Sequence, residues 1–352
     1  MTLTGAPLFA VMAVATVLGP VALMIWLHRR RTSAKNWLRT LAQFGLVLGC
    51  QLLAVTTLFL WVNNQYGFYT SWSDLFGRSS GDAKIQANGL VQSGEGRAEV
   101  ITVAGGPGRN GSHRVLVWLP REYDEQSAQT AQFPVVMVLS GQPSSPETMF
   151  THYDFGAVAT AEIDRGLVKP FIAVFPPLMT NPPRDTECTD IKGGPQAQTW
   201  LTHDVYQAVR QSFRVTKNPW SVMGWSTGAF CAVKLALKYP VQYAAAAGLG
   251  GYYEPLTDKT TGDLFHGQAA LRNQNSPLWL YQRDPVHHRP LLIVTGRQDL
   301  ESYGPSVRFL DASHGDAGVS SLIFPVGGHN YHNYKAQLPA VLEWLNRVQP
   351  VG

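Results

Sequence analysis

Hydrophobic positions fall into three regimes along this 352-residue chain. The first is unbroken: residues 7–27 and 41–62 carry no charge, and each run is long enough, at ~1.5 Å rise per residue, to cross a hydrocarbon core as a helix. The second, from residue 63 to about residue 97, is polar, rich in Gly, Ser and Asn, and aperiodic, which predicts a linker. In the third, strand-like and helix-like runs take turns. Apolar and polar residues alternate over residues 98–103 and 113–119, on either side of a glycine-rich stretch, and predict two antiparallel edge strands. Continuous apolar runs follow at 134–139, 171–175, 220–223, 244–249, 291–294 and 322–324, as in strands buried on both faces. Helix-length segments lie between or after them at 155–165, 196–213, 229–239 and 334–348. This order predicts an α/β fold with a mostly parallel sheet flanked by helices. Residues 252–289 are long enough to cap a site. The domains expected are a two-helix transmembrane hairpin over 1–70, a linker over 71–97 and a catalytic-size domain over 98–352.

Charge orients the hairpin. No acidic residue precedes Asp74, and the only basic ones before it are Arg29, Arg30, Arg31, Lys35 and Arg39, in or beside the short connection between the two apolar runs. The positive-inside rule places that connection in the cytoplasm and both chain ends outside. A signal peptide fits less well, because the cationic cluster follows the first apolar run and a second run comes next. Trp26, Trp37, Trp61, Tyr66 and Trp72 gather near the run ends, as interfacial aromatics do. Gln43 and Gln51 are polar exceptions, read as hydrogen-bonding between the helices. Without the five early cations, 23 of the 28 basic residues stand against 24 acidic ones. The overall +4 therefore belongs to a membrane flank and gives no reason to expect nucleic acid.

The chemistry gathers at Gly224-Trp225-Ser226-Thr227-Gly228, between a strand-like run and an amphipathic segment. This is the setting of a nucleophile elbow: a serine on a sharp turn, flanked by glycines that let strand and helix approach. Ser226 is the candidate nucleophile, with the Thr227 amide at the helix start as an oxyanion donor. A carboxylate and a histidine follow in the order such sites use. Asp299, after the run at 291–294, is the candidate acid and Glu301 its rival; His329, after Gly327-Gly328, is the candidate base and His332 its rival. The two histidines have no carboxylate or cysteine at ligand spacing, so no metal is expected. The Gln142 amide, after the run at 134–139, is the second oxyanion candidate. Cys50 reads as packing within the second apolar run. Cys188 and Cys231 stand either as a disulfide or as two free thiols.

The segment from Gly224 to Ala232, the following Leu237-Lys238-Tyr239-Pro240, the upstream Trp200-Leu201-Thr202-His203-Asp204-Val205 and Gly327-Gly328-His329 together resemble the putative esterase family of α/β-hydrolases. That group includes esterase D, feruloyl esterases and the antigen 85 mycolyltransferases. The resemblance covers roughly residues 98–348. It implies acyl transfer from an ester through an acyl-serine intermediate, to water or a sugar hydroxyl, with no cofactor. The hairpin looks similar to that of membrane-anchored actinobacterial envelope esterases of this group. Antigen 85 enzymes place an Asp-Gly-Leu-Arg-Ala type sequence after the third strand, where this chain has Ser140-Gly141-Gln142-Pro143-Ser144-Ser145. The expectation is therefore a membrane-tethered, extracytoplasmic serine esterase acting on an acyl ester. Two alternatives remain: an acyltransferase working on cell-envelope lipid or glycan, and a non-catalytic envelope scaffold.

Overall fold

The computed structural model describes residues 6–29, 36–66, 90–91, 96–105, 111–178, 184–283 and 289–349, and the chain divides into two units, Met1–Asp82 and Ala83–Gly352. In the first unit the two apolar runs form helices α1 (Ala6–Arg29) and α2 (Asn36–Tyr66). They meet where small and hydroxylated residues allow it: Thr16 and Thr57 share a hydrogen bond of 2.7 Å, and Gly19 faces Leu53. Gln43 and Gln51 are exposed, so the polar link between the helices comes from threonines rather than the glutamines expected. Among the described residues, one helix, Gln43–Asn64, is long and apolar enough to cross a membrane by length and composition, with a mean hydropathy of 2.0; Pro7–Ala22 is apolar but shorter. Trp72 and the basic residues Arg30, Arg31 and Lys35 lie outside the described residues.

In the second unit the apolar runs become strands. They are β1 (Leu90–Val91), β2 (Arg97–Ala104), β3 (Ser112–Leu119), β4 (Val135–Leu139), β5 (Ile172–Phe175), β6 (Trp220–Trp225), β7 (Tyr243–Leu249), β8 (Leu291–Gly296) and β9 (Val319–Phe324). They form one sheet in the order β1-β2-β3-β5-β4-β6-β7-β8-β9. The pairs β1–β2, β2–β3 and β3–β5 are antiparallel and all others parallel. The continuous runs follow from burial on both faces. On β4, Val135, Met137 and Leu139 join a core with Trp200 and Phe230, while Val136 and Val138 join the opposite core with Phe155 and Leu345.

Helices cover both faces: α3 (Pro146–His152), α4 (Phe155–Asp164), α5 (Ala197–Thr199), α6 (Tyr206–Ser212), α7 (Thr227–Lys238), α8 (Ala269–Asn273), α9 (Pro277–Arg283), α10 (Tyr303–Ala312), α11 (Tyr331–Lys335) and α12 (Leu338–Val348). Several expectations need correction. β3 is not an edge strand; it lies between β2 and β5 and is buried from Val115 onward. Leu90–Val91, read as linker, pairs with β2. The single helix expected over 196–213 is interrupted by a π-helical turn, Trp200–Val205. The last helix begins earlier than expected and in two pieces, because the Asn330 side chain caps α11 by accepting from Asn333 N–H at 3.1 Å.

Candidate active site

Close backbone approach builds the turn at Ser226. β6 ends at Trp225 and α7 begins at Thr227, leaving Ser226 to reverse the chain at φ 57°, ψ −120°. A non-glycine residue held there costs of order 1–3 kcal/mol and needs surrounding structure to keep it. Part of that restraint is the Ser226 N–H, which donates to Leu249 O at 2.9 Å. A Cβ on Gly224 would lie 2.2 Å from Gly228 O, and one on Gly228 2.1 Å from Leu139 O. Nothing larger than glycine fits either position. The loop after β4 is equally near, since a Cβ on Gly141 would lie 3.0 Å from the Ser226 Cβ. This brings the segment with Gln142, joined to Pro143 by a cis peptide bond, alongside the serine. Thr227 opens α7, so its N–H has no intrahelical acceptor.

Ser226, His329 and Asp299 form one hydrogen-bonded chain at the carboxyl ends of β6, β8 and β9. His329 Nε2 lies 3.0 Å from Ser226 Oγ, and Nδ1 lies 2.8 Å from Asp299 Oδ2. Gly327 turns the chain into His329 at φ 129°, a conformation that favours glycine, and the imidazole stacks on Trp225 with ring centroids 4.9 Å apart. Asp299 is fully buried. Its Oδ1 accepts from the Glu301 and Ser302 amides, each at 3.0 Å, and its Oδ2 also accepts from Tyr334 O–H at 2.5 Å. Burial pushes this carboxyl up, but the hydrogen bond and charge of His329, with donors from Tyr334 and Ser302, outweigh it and hold the group at about 2. The ionised carboxylate keeps the imidazole proton on Nδ1, leaving Nε2 to accept from Ser226.

The rival residues fall elsewhere. Glu301 Oε2 is 3.7 Å from Nε2, on the serine side of the ring, with its side chain 59% exposed. His332 points to solvent on α11. Within residues 252–289, read as long enough to cap a site, Tyr253, Phe265 and Tyr281 are buried, Tyr253 and Tyr281 against Phe309, and Tyr252 stacks on Phe230. Among the described residues no group of three His, Cys, Asp or Glu side chains is placed to hold a metal ion. A cavity of about 470 Å³ lined by Val136, Phe171, Lys217 and Leu345 opens at the amino ends of β4 and β5, away from the triad.

A buried polar segment that the sequence reading passed over braces the elbow from behind. Asp185 Oδ2 accepts from Thr227 Oγ1 at 2.8 Å, and Cys188 is disulfide-bonded to Cys231 on α7. Lys234 Nζ, fully buried on the same helix, donates to Glu187 O (2.7 Å), Cys188 O (2.9 Å), Thr189 Oγ1 (3.0 Å) and Asn275 Oδ1 (3.2 Å). Burial pushes the Glu187 carboxyl up and the Lys234 amine down, each opposed by the charge of the other. Four oxygens surround the nitrogen, more than enough acceptors for the three N–H donors of an ammonium, so the site is shaped for the charged state. Two signals pointed here: a lysine in the otherwise apolar run Cys231-Ala232-Val233-Lys234-Leu235-Ala236, and three acids flanking Cys188.

Comparisons with known proteins identify the family and the fold. Residues 108–345 match the model of the family described as Putative esterase. An uncharacterized protein of Corynebacterium glutamicum is 24% identical over 241 residues, 64% of this chain and 55% of that protein; the chain thus spans little more than half the length of this curated relative. Among solved structures, a ferulic acid esterase superposes with a TM-score of 0.63 at 14% identity, covering 73% of this chain and 100% of its own. An S-formylglutathione hydrolase from Agrobacterium tumefaciens gives a TM-score of 0.61 at 16% identity, covering 75% and 99%. With the family match spanning well over half of the sequence, the chain belongs to the putative esterase family and has an α/β-hydrolase-like fold.

Proposed function

We propose that the protein is a serine esterase that hydrolyses carboxylic esters through an acyl-serine intermediate. The observation that carries this reading is the unbroken chain Ser226 Oγ, His329 Nε2, His329 Nδ1, Asp299 Oδ2, with contacts of 3.0 and 2.8 Å. As Ser226 Oγ attacks the acyl carbonyl, His329 Nε2 takes its proton, and Asp299 stabilises the imidazolium. The tetrahedral oxyanion forms against the Thr227 and Gln142 amides. His329 then protonates the departing alkoxide. Water, deprotonated by the same nitrogen, releases the acid and restores the serine.

Hydrolysis is favoured over transfer to a sugar. Sugars are held by convergent hydrogen bonds and aromatic faces, yet residues 140–145 carry no charged side chain, and Tyr253, Phe265 and Tyr281 are committed to packing. The first unit we read as a two-span anchor. Val17, Leu18, Phe44, Leu48, Leu52 and Val55 are each more than half exposed, far more apolar surface than water tolerates on a stable helix pair. With the early cations on the cytoplasmic side, the catalytic domain is extracytoplasmic and its substrate an acyl ester of the cell envelope. Incubation with a p-nitrophenyl ester and millimolar trehalose tests the reaction: free acid at a trehalose-independent rate is expected. Acylated trehalose as the main product, by mass spectrometry, would replace hydrolysis by transfer.

A further inference from the structure

Behind the triad lies a chain of hydroxyls that the reaction does not require. Thr295 Oγ1 and Ser302 Oγ are 2.8 Å apart, Ser302 Oγ and Tyr334 O–H 3.1 Å apart, and Tyr334 O–H donates to Asp299 Oδ2 at 2.5 Å. Thr295, Ser302, Tyr334 and Asp299 are all buried. The fit around the ring is close, because a Cβ on Gly250 would lie 2.8 Å from Tyr334 Cζ and 3.2 Å from His329 Cε1. The oxygen that receives the Tyr334 proton is the one that receives His329 Nδ1–H.

We propose that Tyr334 is a positioning residue of the triad: its hydroxyl fixes the Asp299 carboxylate in the plane of the His329 ring and withdraws part of the negative charge that the imidazolium feels. The inference rests on the serine-esterase reading. Asp299 Oδ1 is already committed to the Glu301 and Ser302 amides, so Oδ2 alone faces the ring, shared between two donors. A hydrogen bond to an ionised carboxylate is among the stronger ones and resists rotation of the group. It also stabilises the charged form of the acid. Without the Tyr334 donor, Oδ2 carries more charge toward the imidazole, and the protonated ring is favoured.

The other groups around the ring do not substitute for that donor. Glu301 approaches Nε2 from solvent, Trp225 offers a ring face, and Gly250 has no side chain. On α11, Tyr331 donates to Ser144 and His332 is exposed; His152 and Tyr153 both pack against the Tyr331 ring rather than that of His329. Tyr334→Phe removes one hydroxyl and keeps the ring, so it isolates the effect.

The experiment follows kcat, KM and pH dependence for a p-nitrophenyl ester, together with the rate of fluorophosphonate inactivation against pH. In Tyr334→Phe, kcat is expected to fall roughly ten-fold with KM nearly unchanged, and the acid limb of both profiles moves to higher pH. In an Asp299→Asn background the same change should have little further effect, because Tyr334 acts through that carboxylate. Unmoved acid limbs, a loss confined to KM, or full additivity with Asp299→Asn would each overturn the proposal. Wild-type protein inert to both reagents would instead remove the esterase reading, and with it any role for Tyr334.

Discussion

Asp299 and Glu301 stand on opposite sides of the His329 ring, one buried at Nδ1 and the other in solvent near Nε2. A triad acid works by fixing the imidazole tautomer and stabilising its cation, which needs a desolvated carboxylate on Nδ1. Asp299→Asn should therefore lower kcat/KM by several orders of magnitude, and Glu301→Gln by less than about ten-fold. Steady-state kinetics of both variants decides it; a severe Glu301→Gln would move the acid to the other carboxylate. Much at this scale was readable beforehand. Glycine spacing marked Ser226, and the turn residues before His329 marked the histidine. The two acids, two positions apart, are separable only by where the ring sits. The roles of Tyr334, Asp185 and Lys234 were hidden, since each acts through partners 35 to 47 residues distant.

The segment from Arg184 to Asp190 is the element that ties α7 to its surroundings. It holds the helix through the Asp185–Thr227 bond, the Cys188–Cys231 disulfide and Lys234, and it reaches residues 256–263 through Leu256 N–H to Glu187 and Arg184 to Thr261 O. The Thr227 side chain is thus anchored one residue from the proposed nucleophile, on the residue whose amide is proposed to hold the oxyanion. Thr227→Val keeps the shape, removes the hydroxyl and strands a buried Asp185 oxygen, a loss of about 1–3 kcal/mol. We expect it to lower both the thermal midpoint and kcat, while Thr227→Ser preserves both; equal loss in the two variants would mean that the methyl, not the hydrogen bond, matters. Among the elements, the buried parallel strands were the most legible, because unbroken apolar runs have few other uses. β1 and α3 were not: two residues of strand carry no period, and α3 depends on Ser145 capping Thr148 N–H before a proline start. The π-helical turn at Trp200–Val205 likewise left no periodic signal.

For the whole molecule, one chain joins an apolar helix pair to a hydrolase fold. The orientation proposed for that pair rests on five cations confined to one connection. A reporter fused after Gly352 should then be active outside the cytoplasm, and one inserted at residues 32–36 inside it. Protection of the C-terminal domain from protease added to intact spheroplasts would reverse the orientation. The fold class was visible at this scale because strand and helix runs alternate throughout the second unit. The inward packing of Tyr253, Phe265 and Tyr281 was not, because apolar aromatics look the same in a lid and in a core.

The central claim is that Ser226 is a nucleophile activated by His329, and its most direct measurement is covalent. Folded wild-type protein treated with a fluorophosphonate probe, digested and mapped by peptide mass, should carry one adduct on Ser226, with labelling slowed by about three orders of magnitude or more in His329→Ala. An unlabelled Ser226 in folded protein, or labelling unaffected by His329→Ala, would contradict it.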